Sequence, residues 1–244
     1  MVITSLENEK VKKYKKLQKK KYRDEFNEYM VEGLHLVLEA YKKGVLIELV
    51  LEEGQEIPFP SPYNYFSKEV MKKISTMDTP STIMGLCHKR ESEDILGNKI
   101  LLLDEVQDPG NLGTIIRSAV AFNIDTIILS ENTVDLYNPK VLRATQGMLF
   151  HVNILTCPTL EAVKYLHKIG IPVYGTNVDG GVDARTLTKQ DKEKYALIVG
   201  NEGNGVRKEV IAACDKCLYI AMDEDVESLN VAIASSILLY ELGR

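Results

Sequence analysis

The chain has 244 residues, is 45% hydrophobic and 27% charged, and carries a formal charge of −5 at pH 7. That length buries a sizeable core in one or two domains, and the composition is that of an ordinary globular protein. No apolar run approaches the ~18 residues of a membrane span and no signal-peptide core opens the chain, so the expectation is a cytoplasmic protein with no membrane partner.

The charge is uneven. Residues 1–23 hold Lys10, Lys12, Lys13, Lys15, Lys16, Lys19, Lys20, Lys21 and Arg23 against Glu7 and Glu9, a local balance of +7 that leaves the remainder at −12. Leu6, Val11, Tyr14 and Leu17 recur mostly at spacings of three and four, which predicts one helix from Ser5 to about Lys21 with an apolar stripe and a basic remainder. Such a face suits a polyanion, and Lys12, Lys13, Lys15, Lys16, Lys19 and Lys20 are the expected contacts to its phosphates. Tyr29–Gly33 follows, then a predicted helix over 34–43 and a strand over 46–51. Pro58, Pro60 and Pro62 interrupt the pattern. A short helix over 68–76, a strand over 83–87 and the charged stretch 88–94 complete a small α/β domain, taken as residues 1–90 with a linker at 91–98.

From residue 99 to 244 strands and helices alternate. Strands are predicted at 100–103, 126–129, 152–155, 172–174, 196–199 and 218–220. Helices are predicted near 112–122, 140–149, 159–168, 206–213 and 229–241. Apolar strands with crossover helices predict a parallel sheet covered on both faces. Cys87, Cys157, Cys214 and Cys217 read as ordinary thiols, because the one close pair has no second pair to complete a zinc site, and no metal is expected. His35, His88, His151 and His167 are scattered.

Three strand-end loops in this half carry polar residues that a plain turn does not require. In the first, Asp104–Arg117, Pro109 and Gly110 make the turn and Asn111 is the expected helix cap; Arg117 lies one helical turn beyond Gly113, and its planar fork is a natural phosphate clamp. The second is Gly200-Asn201-Glu202-Gly203-Asn204-Gly205, at the end of the apolar run Ala196–Val199. It lacks the Gly-Lys-Ser/Thr of a P-loop, and its order G-x-x-G-x-G is not that of a dinucleotide fold. Gly203 is expected to need φ > 0 or a close backbone approach. In the third, Ile220–Ala234, Ser228 has the look of a helix N-cap ahead of Leu229, Ile233, Ile237 and Tyr240, while Asn230 has less structural reason to be there.

Together these loops resemble the SpoU, or TrmH, family of RNA ribose 2′-O-methyltransferases within the knotted SPOUT superfamily. Asn111, Gly113 and Arg117 match its Asn-x-Gly-x-x-x-Arg motif, Leu197–Gly205 its Gly-x-Glu-Gly-x-Gly motif, and Ser228–Val231 its Ser-Leu-Asn-Val motif; Asn138–Ala144 is similar to the segment between. The resemblance implies a deep C-terminal trefoil knot, an exception to the rule that chains do not thread loops, and a homodimer. Residues 1–90 are similar, more loosely, to an RNA-binding domain related to ribosomal proteins that bind kinked RNA. The implied cofactor is S-adenosyl-L-methionine, bent across Gly200, Asn201, Glu202, Gly203, Ile220, Met222 and Leu229. The implied catalytic set is Arg117 with Asn111, Glu202, Ser228 and Asn230, acting on a ribose of structured RNA, ribosomal ahead of transfer RNA. Ala221 and Glu224 stand where the family commonly has Pro and Gly, so the third loop is expected to be shaped differently. Apolar residues beyond one stripe, Ile115, Ile116, Phe122, Ile237, Leu238 and Leu239, are expected to be partly buried between subunits. Two other readings are a catalytically silent RNA-binding paralogue and, with no dinucleotide fingerprint to support it, a nucleotide-cofactor oxidoreductase.

Overall fold

The computed structural model describes residues 2–93, 95–178 and 180–243. In chain order they form β1 (Val2–Ile3), α1 (Glu9–Lys16), α2 (Lys20–Phe26), β2 (Glu28–Glu32), α3 (Leu34–Lys42), β3 (Leu46–Glu52), β4 (Tyr63–Phe66), α4 (Lys68–Ile74) and β5 (Ile83–His88). There follow β6 (Lys99–Leu103), α5 (Pro109–Ala121), β7 (Thr126–Leu129), α6 (Pro139–Thr145), β8 (Asn153–Thr156), α7 (Thr159–Lys168), β9 (Val173–Thr176), β10 (Val182–Asp183), α8 (Lys189–Glu193), β11 (Tyr195–Val199), α9 (Lys208–Ile211), β12 (Lys216–Tyr219) and α10 (Val231–Gly243). No helix among the described residues is long and apolar enough to cross a membrane.

Packing divides the chain into two units, residues 1–91 with 135–150 and residues 92–134 with 151–244. The sequence places a single boundary at 91–98, whereas 135–150 pack with the N-terminal residues. The physical reason is local. Val141 and Leu142 on α6 are buried, the Tyr137 ring lies 4.5 Å from that of Tyr29, and Arg23 pairs with Asp135.

The first unit is a five-stranded mixed sheet in the order β1-β4-β3-β5-β2. Val11, Tyr14 and Leu17 pack with Val70, Met71 and Ile74 of α4 and with Val50, Phe66, Met84 and Leu86 of the sheet. The basic segment is two helices where one was predicted. Gln18 breaks it by donating its side-chain amide to the Ile74 carbonyl at 3.0 Å, and Arg23 holds the break by donating to the Leu17 carbonyl at 2.8 Å.

The second unit is a seven-stranded sheet in the order β10-β12-β9-β11-β6-β7-β8, with every pairing parallel. All five residues of Tyr195–Val199 are buried, as strands covered on both faces require. Ile100, Leu102, Ala196 and Ile198 face one core with Val163 and Leu166 of α7 and Val210 of α9. α5 packs on α10, where Ser118 and Ser236 share a hydrogen bond of 2.7 Å and the Phe122 and Tyr240 rings meet edge to face.

Both expected helix caps are displaced, each by one polar residue. α5 is capped by Asp108, whose carboxylate accepts from the Asn111 backbone N–H at 2.8 Å, with Pro109 preset for the first helical position. α10 is capped by Asn230, whose Oδ1 accepts from the backbone N–H groups of Ala232 at 2.9 Å and Ile233 at 3.3 Å. The side chain of Asn111 and the whole of Ser228 are thereby released from capping.

Candidate functional site

Strands β6 and β11 are neighbours in register, Leu103 opposite Val199, so the first and second loops leave the sheet side by side. The second loop closes on itself: Asn201 and Gly205 exchange backbone hydrogen bonds of 3.0 and 2.9 Å. The Asn201 side-chain oxygen accepts from the N–H groups of Gly203 and Asn204. A Cβ on Gly200 would lie 2.1 Å from the Gly205 carbonyl carbon and the Val206 nitrogen, and Gly205 sits at φ +67°. These are the glycines the turn requires. Gly203 has neither a left-handed φ nor a close neighbour, its nearest atom being Asn201 Oδ1 at 3.6 Å, so the constraint expected there belongs to Gly200 and Gly205.

Glu202 ties the second loop to the first. Its carboxylate accepts from the backbone N–H of Asp108 at 2.9 Å and of Gln107 at 3.1 Å, and from the Asn111 side-chain amide at 3.0 Å. Burial pushes its pKa up, but the Asn111 hydrogen bond and the two backbone donors outweigh it and hold the group below the usual carboxylate value. Asn111 Oδ1 in turn accepts from the Asn230 side-chain amide at 2.9 Å, so one short chain of side chains joins all three loops. Asn201 also donates to the Glu105 carbonyl at 3.0 Å. Below the rim, Asp104 is fully buried and bound by Arg207. Burial alone would raise the Asp104 pKa, but hydrogen bonds from Arg207 and Thr159 keep it lowered.

The second and third loops enclose a cavity of about 540 Å³ lined by Gly200, Asn201, Glu202, Gly203, Ile220, Met222, Ser228 and Leu229, among others, while the first loop, with Asn111, stands behind the second and does not line it. All seven residues to which the resemblance assigns the cofactor are therefore brought to one cavity. Thr176, Asn177 and Val178 at the end of β9, and Lys208 and Ile211 of α9, also line it. They carry no motif, yet β9 pairs with β11, and ligands at the carboxyl ends of adjacent parallel strands are the signal that finds them. The volume lies within the usual range for small-ligand sites, and the lining combines glycine backbone with apolar Val199, Ile220, Leu229 and Leu238. That chemistry fits a nucleoside with an amino-acid tail. Among the described residues no group of three His, Cys, Asp or Glu gathers to hold a metal.

Arg117 does not line this cavity. It is exposed on α5 and makes no hydrogen bond or ion pair within the described chain. The apolar surplus of α5 and α10 is placed differently from expectation: Ile115, Ile116, Leu238 and Leu239 are at most 2% exposed within the chain itself. Their depth lies under the α5–α10 contact. What remains outside is a stripe of Ile233, Ile237 and Tyr240, 54%, 36% and 47% exposed.

In the first unit the six expected RNA-contacting lysines fall into two sets. Lys12 pairs with Glu7 and Glu9, Lys13 with Glu28 at 2.6 Å, and Lys20 with Asp24 at 2.8 Å. Lys15, Lys16 and Lys19 are exposed and have no acidic partner among the described residues, although Lys16 sits 5.5 Å over the Tyr22 ring. Folding supplies Glu28 and Asp24 from beyond residue 23, which the local charge balance does not count.

Residues 98–240 match the profile of the SpoU rRNA Methylase family, and residues 8–85 that of the MRM3-like substrate binding domain. The chain is 38% identical to the 23S rRNA (guanosine(2553)-2′-O)-methyltransferase RlmP of Bacillus subtilis, over 98% of each. It resembles the AdoMet-bound rRNA methyltransferase of Sinorhizobium meliloti with a TM-score of 0.88 and 32% identity, covering 99% of this chain and 97% of that one. The SpoU methyltransferase AviRb of Streptomyces viridochromogenes shares its fold, with a TM-score of 0.86 at 22% identity over 97% of each.

Proposed function

The chain belongs to the SpoU rRNA methylase family, and we propose that it is an S-adenosyl-L-methionine-dependent 2′-O-methyltransferase of ribosomal RNA. The observation that carries this reading is the cavity walled by the second and third strand-end loops, which Glu202, Asn111 and Asn230 tie to the first. S-Adenosyl-L-methionine supplies a methyl group on an already activated sulfonium, so the protein's work is positioning and the handling of one proton. Gly200, Asn201, Glu202, Gly203, Ile220, Met222 and Leu229 would hold the cofactor. A guanidinium is a donor with no acceptor site, so Arg117 is a poor literal base. Its role is to clamp the phosphate next to the target ribose and stabilise charge developing on the 2′-oxygen, while phosphate or water takes the proton. Ser228 faces the same cavity, where its hydroxyl can meet the ribose.

Arg117 stands away from the cavity lining of its own chain, which favours a homodimer in which it completes the partner's site. The exposed stripe Ile233, Ile237 and Tyr240, beside Phe122, is the surface for that contact. An Arg117→Ala protein should then dimerise and bind cofactor but lose transfer, with little recovered by Lys at that position. Co-expression with a Gly200→Ala chain should restore activity, and a mixture that stays inactive would refute the shared site.

Residues 1–90, with Lys15, Lys16 and Lys19 foremost, form the RNA-binding domain, residues 99–244 carry the transfer, and the C-terminal segment threads the family's knot. A ribosomal substrate favours a cytoplasmic protein. Intact Arg117, Glu202, Ser228 and Asn230 argue against a silent paralogue. Calorimetry with S-adenosylhomocysteine should show binding, and mapping of 2′-O-methylated nucleotides should show one 23S rRNA position lost when the gene is deleted. A folded protein that binds no S-adenosylhomocysteine at millimolar concentration would overturn the enzymatic reading.

A further inference from the structure

Asp104, directly after β6, has no exposure to solvent. Four donors satisfy its two oxygens. Arg207 Nε lies 3.1 Å from both, Arg207 Nη2 2.7 Å from Oδ1, the Arg207 backbone N–H 3.2 Å from Oδ2, and the Thr159 hydroxyl 2.7 Å from Oδ1. A buried carboxylate is tolerated only when so paired. Arg207 is the first residue after the cavity-lining run 199–206 and does not itself line the cavity.

The glycine loop is closed internally by the Asn201–Gly205 pair, so it can shift only as one piece on its two stems. The entry stem, at Gly200, fits against Gly205 and Val206 with no room for even a Cβ. That fit persists only while the exit stem stays seated, and the residue that seats it is Arg207. We infer that Arg207 is a positioning residue for the cofactor cavity: clamped to Asp104, it holds the exit stem of the glycine loop against Gly200 and so sets the shape of the wall without touching the ligand. This rests on the reading of the cavity as the S-adenosyl-L-methionine site. Glu202 fixes the exposed rim of the same loop, and Arg207 fixes its buried base.

The test is calorimetry of the full-length chain with S-adenosylhomocysteine, beside thermal melting and RNA binding. Absence of binding to the unaltered protein sinks the cofactor reading itself. With binding established, Arg207→Met is expected to weaken it by about tenfold, which is about 1.4 kcal/mol, while RNA affinity is unchanged. Because Arg207→Met also leaves the buried Asp104 charge without its cation, held only by Thr159 and one backbone N–H, the double variant Asp104→Asn/Arg207→Met separates the two effects. It should recover melting temperature but not cofactor affinity. Arg207→Lys, which keeps the charge but not the fork, should bind less tightly than the unaltered protein. Unaltered affinity in any folded member of this set, or recovery of affinity together with stability in the double variant, would overturn the inference.

Discussion

The second and third loops face the same cavity, but the chain holds them in different ways. The glycine loop is fixed at its base by Asp104 and Arg207, inside by Asn201 and Gly205, and at its rim by Glu202. The third loop, residues 220–230, is joined to the others through Asn230 and Asn111, and Asp223–Ser228 are exposed. One wall is tied to the sheet at base, middle and rim, and the other is held by a local turn at Asp223 and by the Asn230–Asn111 bond. For a methyl transfer this division is sensible: the reacting atoms need a fixed reference, whereas a cofactor must enter before it is enclosed.

The sharpest way to break the comparison is to unsettle the rigid wall. Gly200→Ala puts a methyl group where backbone atoms lie 2.1 Å away, and the loop must open to accept it. Binding of S-adenosylhomocysteine should vanish in calorimetry, and melting should report a loss of about 1–3 kcal/mol, the usual cost of overpacking. Gly203→Ala, three residues along in the same motif, meets nothing nearer than Asn201 Oδ1 at 3.6 Å and should melt within about 0.5 kcal/mol of the unaltered protein. If the two variants behave alike, the wall is not held in the way described.

Next in size is removal of the joint between the walls. Asn111→Ala takes one donor from Glu202 and the acceptor from Asn230 at once, and turnover should fall more than cofactor affinity does. Asn230→Ala removes the same joint together with the α10 cap, so it should add a stability loss of about 1 kcal/mol that Asn111→Ala lacks. Chemical denaturation of the pair separates the cap from the joint.

These residues also show what was legible beforehand. The parallel sheet could be read because its strands are unbroken apolar runs, and the cavity because motifs at successive strand ends must converge. The caps were misplaced by one polar residue each, since Asp108 and Asn111, or Ser228 and Asn230, are equally good caps until the turn that precedes them is known. Gly200 and Gly203 are indistinguishable in a string of letters; only the fold decides which one meets backbone. Asp104 and Arg207 stand 103 positions apart, and no local pattern links them. The packing of 135–150 with the N-terminal residues was hidden for the same reason.

A third test uses pH. Glu202 and Asp104 both have lowered pKa values in the fold. Each therefore contributes its stabilisation above the ordinary carboxylate range and loses it as pH falls through the lower folded value. Affinity for S-adenosylhomocysteine should be flat from pH 8 to about 5 and decline only below about 4, where the carboxylates begin to take up protons. In Glu202→Gln the rim contribution is weakened at every pH, because the amide oxygen still accepts on one side but the amide nitrogen cannot accept from the donors that face it on the other. A decline of cofactor affinity already complete at neutral pH would show that some other group governs the wall.

The smallest expected effect belongs to the wall formed by the third loop. Asp223, Glu224, Asp225 and Glu227 place four acids within five residues on a loop that borders the cavity through Met222 and Ser228, and all four are exposed. None of them forms an ion pair with the described residues, so their fields act on whatever approaches. RNA brings phosphates, and exposed like charges repel over about one Debye length, ~8 Å at physiological salt. Converting the four to Asn and Gln should raise RNA affinity modestly at low salt. The gain should disappear as salt is added, and melting temperature should hardly move. Cofactor affinity is the sharper readout. The loop meets the cavity through Ile220, Met222, Ser228 and Leu229 rather than through these carboxylates, so S-adenosylhomocysteine should bind the neutralised protein as it binds the original. A collapse of cofactor binding in that variant would mean that the acids shape the third loop after all, and that both walls are fixed.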